Sequence, residues 1–142
     1  MNQSTDSRTC ALIAARAADK VKASDIVVQR VADRMAETDY FVIATGTSKP
    51  QLNAIVDEVR EQVREQTGRS IDNVEGRESG AWVLLDYGDF VVHVMKPETR
   101  EFYRLEAVWN DAPFVDLAKE GMELEPYSPM VADVVARAGY EE

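Results

Sequence analysis

A mixed β-sheet of about five strands flanked by helices, a single α/β domain, is the fold class that the 142-residue chain predicts. Strand-like and helix-like segments alternate along most of it. The segment 39–45 is almost continuously apolar, as a central strand buried on both faces must be. Two β-rich runs enclose a tight Tyr87-Gly88-Asp89 turn, which makes an antiparallel hairpin. Interleaved helices with an antiparallel hairpin require a mixed sheet.

The elements follow in order. Ala11, Leu12, Ala15, Ala18 and Val21 recur at the helical period over 9–22, with Ser7 or Thr9 as the cap. Ile26, Val27, Val28 and Val31 predict a strand over 25–32, and the polar run 34–38 a loop. After the central strand, Gly46-Thr47-Ser48 breaks the chain and opens a helix, with Thr47 or Ser48 as cap and Pro50 in its first turn. Leu52, Ile55, Val56, Val59 and Val63 form that helix's apolar stripe, and Gly68 closes it. Ile71 and Val74 suggest a short strand before the hairpin of 81–86 and 90–95. Pro97 starts a last helix that sets Phe102, Leu105, Val108 and Trp109 on one face. The expected order is α-β-β-α-β-β-β-α over residues 1–110.

Residues 111–142 read differently. From Asn110 to Glu142 there are eight acidic and two basic residues, together with Pro113, Pro126 and Pro129. The expectation is an acidic tail over the surface with one short helix from Met130 to Ala138.

Charge and composition exclude several functions. Lys and Arg number 16 against 26 Asp and Glu, a net of −10, which opposes binding driven by phosphate neutralisation. One cysteine, Cys10, allows no internal disulfide, and with His93 as the one histidine an ordinary structural zinc site lacks ligands. No apolar run reaches a membrane span and the first residues lack the pattern of a signal peptide, so a cytoplasmic protein is expected.

Candidate chemistry is sparse. Gly46 and Ser48 between a strand and a helix N-terminus, with Asp86 and Asp89 at the hairpin end, faintly resemble the phosphate-holding turn and metal carboxylates of nucleotidyltransferases. Those enzymes place the two carboxylates two residues apart on one strand face; here Tyr87 and Gly88 intervene. His93 in mid-strand reads as a packed core residue rather than a general base, and Cys10 as a small hydrophobe. Trp82, Leu84 and Asp86 share one strand face and Val83 and Leu85 the other. If helices cover the second face, the first presents an aromatic anchor beside a carboxylate, with Tyr87 at the turn, the composition of a protein-binding hot spot. Otherwise Trp82 packs beneath a helix or the tail.

These residues also carry a family resemblance. Asp25-Ile26-Val27-Val28 and the segment 39–48 (Asp-Tyr-Phe-Val-Ile-Ala-Thr-Gly-Thr-Ser) resemble the ribosomal silencing factor family, the Iojap-related proteins. So do Val74-Glu75-Gly76, the segment 82–89, Val91-Val92-His93-Val94, Arg100-Glu101-Phe102-Tyr103, Leu105-Glu106, Trp109 and Asp111-Ala112-Pro113, in family order across roughly residues 8–117. The resemblance implies a nucleotidyltransferase-like sandwich without catalytic carboxylates, and a cytoplasmic, non-enzymatic translation repressor. Such a protein needs no cofactor. It binds the large ribosomal subunit at its fourteenth ribosomal protein, obstructs joining of the small subunit, and forms a homodimer off the ribosome. The contact surface so implied includes Trp82, Leu84 and Asp86 with Tyr87, and extends to Glu75, Glu98 and Tyr103. Neither a membrane nor direct sequence-specific nucleic-acid binding is expected. The competing reading is a degenerate or active nucleotidyltransferase-like nucleotide-binding protein built on Gly46, Ser48, Asp86 and Asp89.

Overall fold

A computed structural model describes residues 6–141; residues 1–5 of the expected domain and Glu142 of the acidic segment lie outside the described residues. The elements are α1 (Ser7–Lys20), β1 (Ser24–Arg30), β2 (Tyr40–Thr45), α2 (Lys49–Thr67), β3 (Val74–Glu75), β4 (Trp82–Asp86), β5 (Phe90–Met95), α3 (Pro97–Tyr103), a 3₁₀ turn (Leu105–Ala107) and α4 (Pro129–Ala138). The five strands form one mixed sheet in the order β1-β2-β5-β4-β3. Only β2 and β5 run parallel, from Tyr40 opposite Phe90 to Thr45 opposite Met95.

All six residues of β2 are buried, as its unbroken apolar character requires of the strand second from the edge. One face of the sheet carries Tyr40, Val42, Ala44, Val83, Leu85, Phe90, Val92 and Val94 against α1 and α2. The other carries Val27, Phe41, Ile43, Val91 and Met95 beneath Phe114, Val131 and Val135. The alternation read from β4 therefore holds, with Val83 and Leu85 fully buried and Trp82 and Leu84 half-buried on the opposite side.

Helix ends follow local chemistry. Ser48 caps α2 by accepting from the Gln51 amide at 3.2 Å, and Gly68 ends it at φ 78°, in the left-handed region that glycine enters without strain. For α1 the cap is Asp6 rather than Ser7 or Thr9: its carboxylate accepts from the Thr9 amide at 2.7 Å, while Ser7 donates instead to Asp39. The last expected helix is shorter than its apolar spacing suggested. α3 stops at Tyr103 because Arg104 turns left-handed, at φ 49°. Phe102 and Val108 consequently lie exposed, Leu105 and Trp109 pack half-buried against the sheet, and the fully buried side chains are Arg100 and Glu106.

The acidic segment crosses the β1 edge as an integrated layer. The Arg30 and Val115 amides donate to Pro113 O and Val28 O, each at 2.8 Å, and Phe114 bridges both Gln29 and Tyr140. Phe114, Val115, Leu117 and Met122 are buried, and the short helix expected within the segment forms as α4. Charge dominates this stretch, but its scattered apolar side chains and backbone bonds fix its path.

Candidate protein-docking face

The side chains of β4 are positioned by both neighbours: β5 on one side, with Leu84 opposite His93, and β3 on the other, with Leu84 opposite Glu75. On this face the Trp82 indole N–H donates to His93 Nδ1 at 3.1 Å. The Tyr103 ring at the end of α3 leans on the indole, with centroids 5.0 Å apart, and Phe102 meets Tyr103 edge-on at 4.9 Å. Tyr103 is 54% exposed and Phe102 79% exposed. The indole thus backs onto His93 and is partly roofed by Tyr103, yet it is not enclosed.

The edge of this aromatic ledge is acidic. Asp86 is exposed, and its Oδ1 accepts from the Gly88 amide at 2.8 Å, which tightens the hairpin turn. Glu75 is exposed on the edge strand β3 opposite Leu84, whereas Glu98, exposed in the first turn of α3, lines a crevice with Asp25, Thr45 and Arg100. Large apolar rings beside free carboxylates fit a basic protein surface that also offers apolar area.

Tyr87 does not belong to this ledge. It lies buried on the α1–α2 side, stacked on Phe90 at 4.5 Å, and burial pushes its phenol up to about 12. The strand's alternation carries on into the turn and sets Tyr87 on the side of Val83 and Leu85, opposite Trp82, Leu84 and Asp86. The sequence also set Phe102 and Val108 on one helix face with Leu105 and Trp109, but Phe102 and Val108 lie exposed while Leu105 and Trp109 pack against the core. The single helical face fails because α3 ends at Tyr103 and the chain turns left-handed at Arg104, so the spacing from Phe102 to Val108 no longer belongs to one helix.

His93 is 4% exposed, and burial holds its pKa down to about 4. It is a core imidazole, as the strand pattern suggested, and the structure adds that it supports Trp82. Cys10 is fully buried in the helix-covered core, where desolvation pushes its thiol up.

The residues of the phosphoryl-transfer reading have structural duties. A Cβ on Gly46 would stand 3.0 Å from Leu52 Cδ1, so glycine there permits close packing of α2. Ser48 is the α2 cap, and the Asp89 carboxylate forks onto Arg69 at 2.8 and 3.2 Å. Among the described residues no group of three or more His, Cys, Asp or Glu is arranged to hold a metal ion, and no helix is long and apolar enough to cross a membrane.

Comparison with known proteins places these features in context. Residues 4–136 match the family profile "Ribosomal silencing factor during starvation". The chain is 40% identical over 105 residues to the ribosomal silencing factor RsfS of Bacillus subtilis (strain 168), covering 74% of this chain and 88% of that protein. It is 40% identical over 107 residues to a mouse protein named "Mitochondrial assembly of ribosomal large subunit protein 1", covering 73% of this chain and 47% of the mouse protein. A crystal structure of a Chromobacterium violaceum protein superposes with a TM-score of 0.70 at 31% identity, covering 87% of this chain and 93% of that one.

Proposed function

The chain belongs to the ribosomal silencing factor family, and on that premise we propose that it is a non-enzymatic translational repressor that docks on the large ribosomal subunit through the ledge of Trp82, Leu84 and Tyr103. The name of the mouse relative, which refers to assembly of the ribosomal large subunit, supports that subunit as the partner. The observation that carries the reading is the aromatic stack of Trp82, Tyr103 and Phe102, open to solvent on a protein whose net charge is −10. So acidic a body gains nothing from ribosomal RNA phosphates and docks best on a basic ribosomal protein; the family resemblance names the fourteenth of the large subunit.

Docking buries the rings at about 25 cal/mol per Å² of apolar area. Asp86 and Glu75 meet arginine or lysine on the partner and fix the orientation. Silencing is then steric, because the bound protein occupies the face where the small subunit must sit. No bond is made or broken, so no cofactor is needed. In the cytoplasm and off the ribosome, the exposed Phe102, Tyr103 and Val108 can cover those of a second copy, which gives the resting homodimer.

Co-sedimentation of the purified protein with isolated large and small subunits tests this reading. Binding to large subunits alone is expected, and Tyr103→Ala and Trp82→Ala should each weaken it by about 2–4 kcal/mol, the range of interface hot spots. Tyr103→Ala is the cleaner probe, since Trp82→Ala also strips His93 of its hydrogen-bond donor. Undiminished sedimentation of a folded Tyr103→Ala protein would remove the ledge from the interface. Saturating protein that leaves subunit joining unchanged would refute steric silencing.

A further inference from the structure

α3 carries the exposed rings Phe102 and Tyr103, yet no apolar side chain of this helix is buried; its buried residue is Arg100, 1% exposed. The Arg100 guanidinium donates to Asp25 O at the irregular start of β1, to Thr45 Oγ1 at the end of β2 at 2.9 Å, and to Glu106 Oε1 in the 3₁₀ turn at 3.3 Å. One side chain thus ties α3 to two strands and to the turn that follows it. Asp25 is held in its own right, since its carboxylate accepts from the Ser128 amide at 2.8 Å. Past Arg104 the fastening is again polar: buried Gln29 donates from Nε2 to Glu106 O at 3.1 Å and to Ala112 O at 3.2 Å.

Such a pair is a poor source of stability. Arg100 Nη2 and Glu106 Oε2 are buried without a partner, and exchanging a buried ion pair for apolar side chains of similar volume often leaves a fold as stable or more so. What the pair supplies is direction. A hydrogen bond holds only over a narrow range of distance and angle, whereas apolar burial is indifferent to orientation. Arg100 and Tyr103 stand three positions apart, on one side of α3. Fixing Arg100 therefore fixes the rotation of the helix that lays Tyr103 on Trp82, with centroids 5.0 Å apart, and leaves Phe102 pointing outward. Rings placed before contact lose less freedom on binding.

We propose that the Arg100–Glu106 pair is the positioning device of the docking ledge, holding α3 at the rotation in which Tyr103 rests on Trp82 and contributing placement rather than stability. Its bearing on docking rests on the ledge as the docking surface; its bearing on the rings does not.

The Arg100→Met/Glu106→Leu double variant tests this, because it removes both charges together and leaves neither buried alone. Its urea midpoint should equal or exceed that of the wild type, while nuclear Overhauser contacts between the Tyr103 and Trp82 rings disappear. Co-sedimentation with large subunits should weaken about tenfold. A double variant that fails to fold, or that unfolds at clearly lower urea, overturns the proposal, because the pair is then part of the fold's stability. So does a stable double variant that keeps the ring contacts, or one that loses them and binds large subunits as the wild type does while Tyr103→Ala binds weakly. If Tyr103→Ala also binds as the wild type does, the ledge reading fails instead, and the ring contacts alone decide the role of the pair.

Discussion

The hydrogen bond from the Trp82 indole to His93 Nδ1 requires a neutral imidazole carrying its proton on Nε2, and burial enforces that state by holding the pKa down to about 4. The unfolded chain protonates the same group near its ordinary 6.5. Between those values the unfolded state binds more protons than the folded one, so this residue makes stability rise with pH. On acidification the contribution falls away from about pH 6.5 down to about 4 and then levels, in all about 3 kcal/mol. Urea unfolding measured across that window should show the slope in the wild type and lose it in His93→Gln, whatever the variant's absolute stability. Equal slopes in the two proteins would show that His93 titrates alike folded and unfolded. The sequence disclosed half of this arrangement. A lone histidine amid Val91, Val92 and Val94 announces burial, and strand alternation puts Trp82 and Leu84 on one face. That Trp82 stands beside His93 depends on the register across the hairpin, which no local pattern encodes.

Elements with a continuous apolar run or stripe were legible for a physical reason: period and burial are the same fact, as β2 and α2 show. Where isolated apolar side chains find separate partners far along the chain, period carries no information. The C-terminal segment is the main instance. Phe114, Val115, Leu117 and Met122 follow no repeat, yet all are buried, and Phe114 lies against the β1 edge at Gln29. Arg8 ties the same segment to α1 through Glu120 at 3.0 Å and Glu141 at 2.7 Å. An exposed edge strand invites pairing with other chains, and this layer covers it. Phe114→Ala should cost about 3–5 kcal/mol in urea unfolding, as for other buried phenylalanines. Glu141→Gln, whose pair with Arg8 is part-exposed, should cost about 1 kcal/mol or less. A small effect of Phe114→Ala would mean that the segment lies on the fold without holding it. The early end of α3 has a related cause, since the buried pair of Arg100 and Glu106 occupies positions that a hydrophobic pattern passes over.

Over the whole molecule, a net charge of −10 acts on any partner before contact is made. On a large subunit coated mainly with RNA that field is repulsive, and it turns attractive only where basic protein is exposed. Affinity should therefore reside in the aromatic ledge, and the choice and speed of docking in the charge around it. The screening length shrinks from about 10 Å at 0.1 M salt to about 3 Å at 1 M, so added salt should slow association with the large subunit while leaving dissociation nearly constant. Substitution at the exposed Asp86 gives the sign of the local field. Asp86→Asn removes one attraction and keeps an acceptor for the Gly88 amide, whereas Asp86→Lys sets a cation against a basic surface and should slow association further. Association rates from surface-immobilised large subunits, measured at several salt concentrations for the three proteins, should fall in the order wild type, Asn, Lys and converge as salt rises. If Asp86→Lys associates faster than wild type, the surface facing this ledge is acidic, and RNA rather than a basic protein becomes the partner to consider.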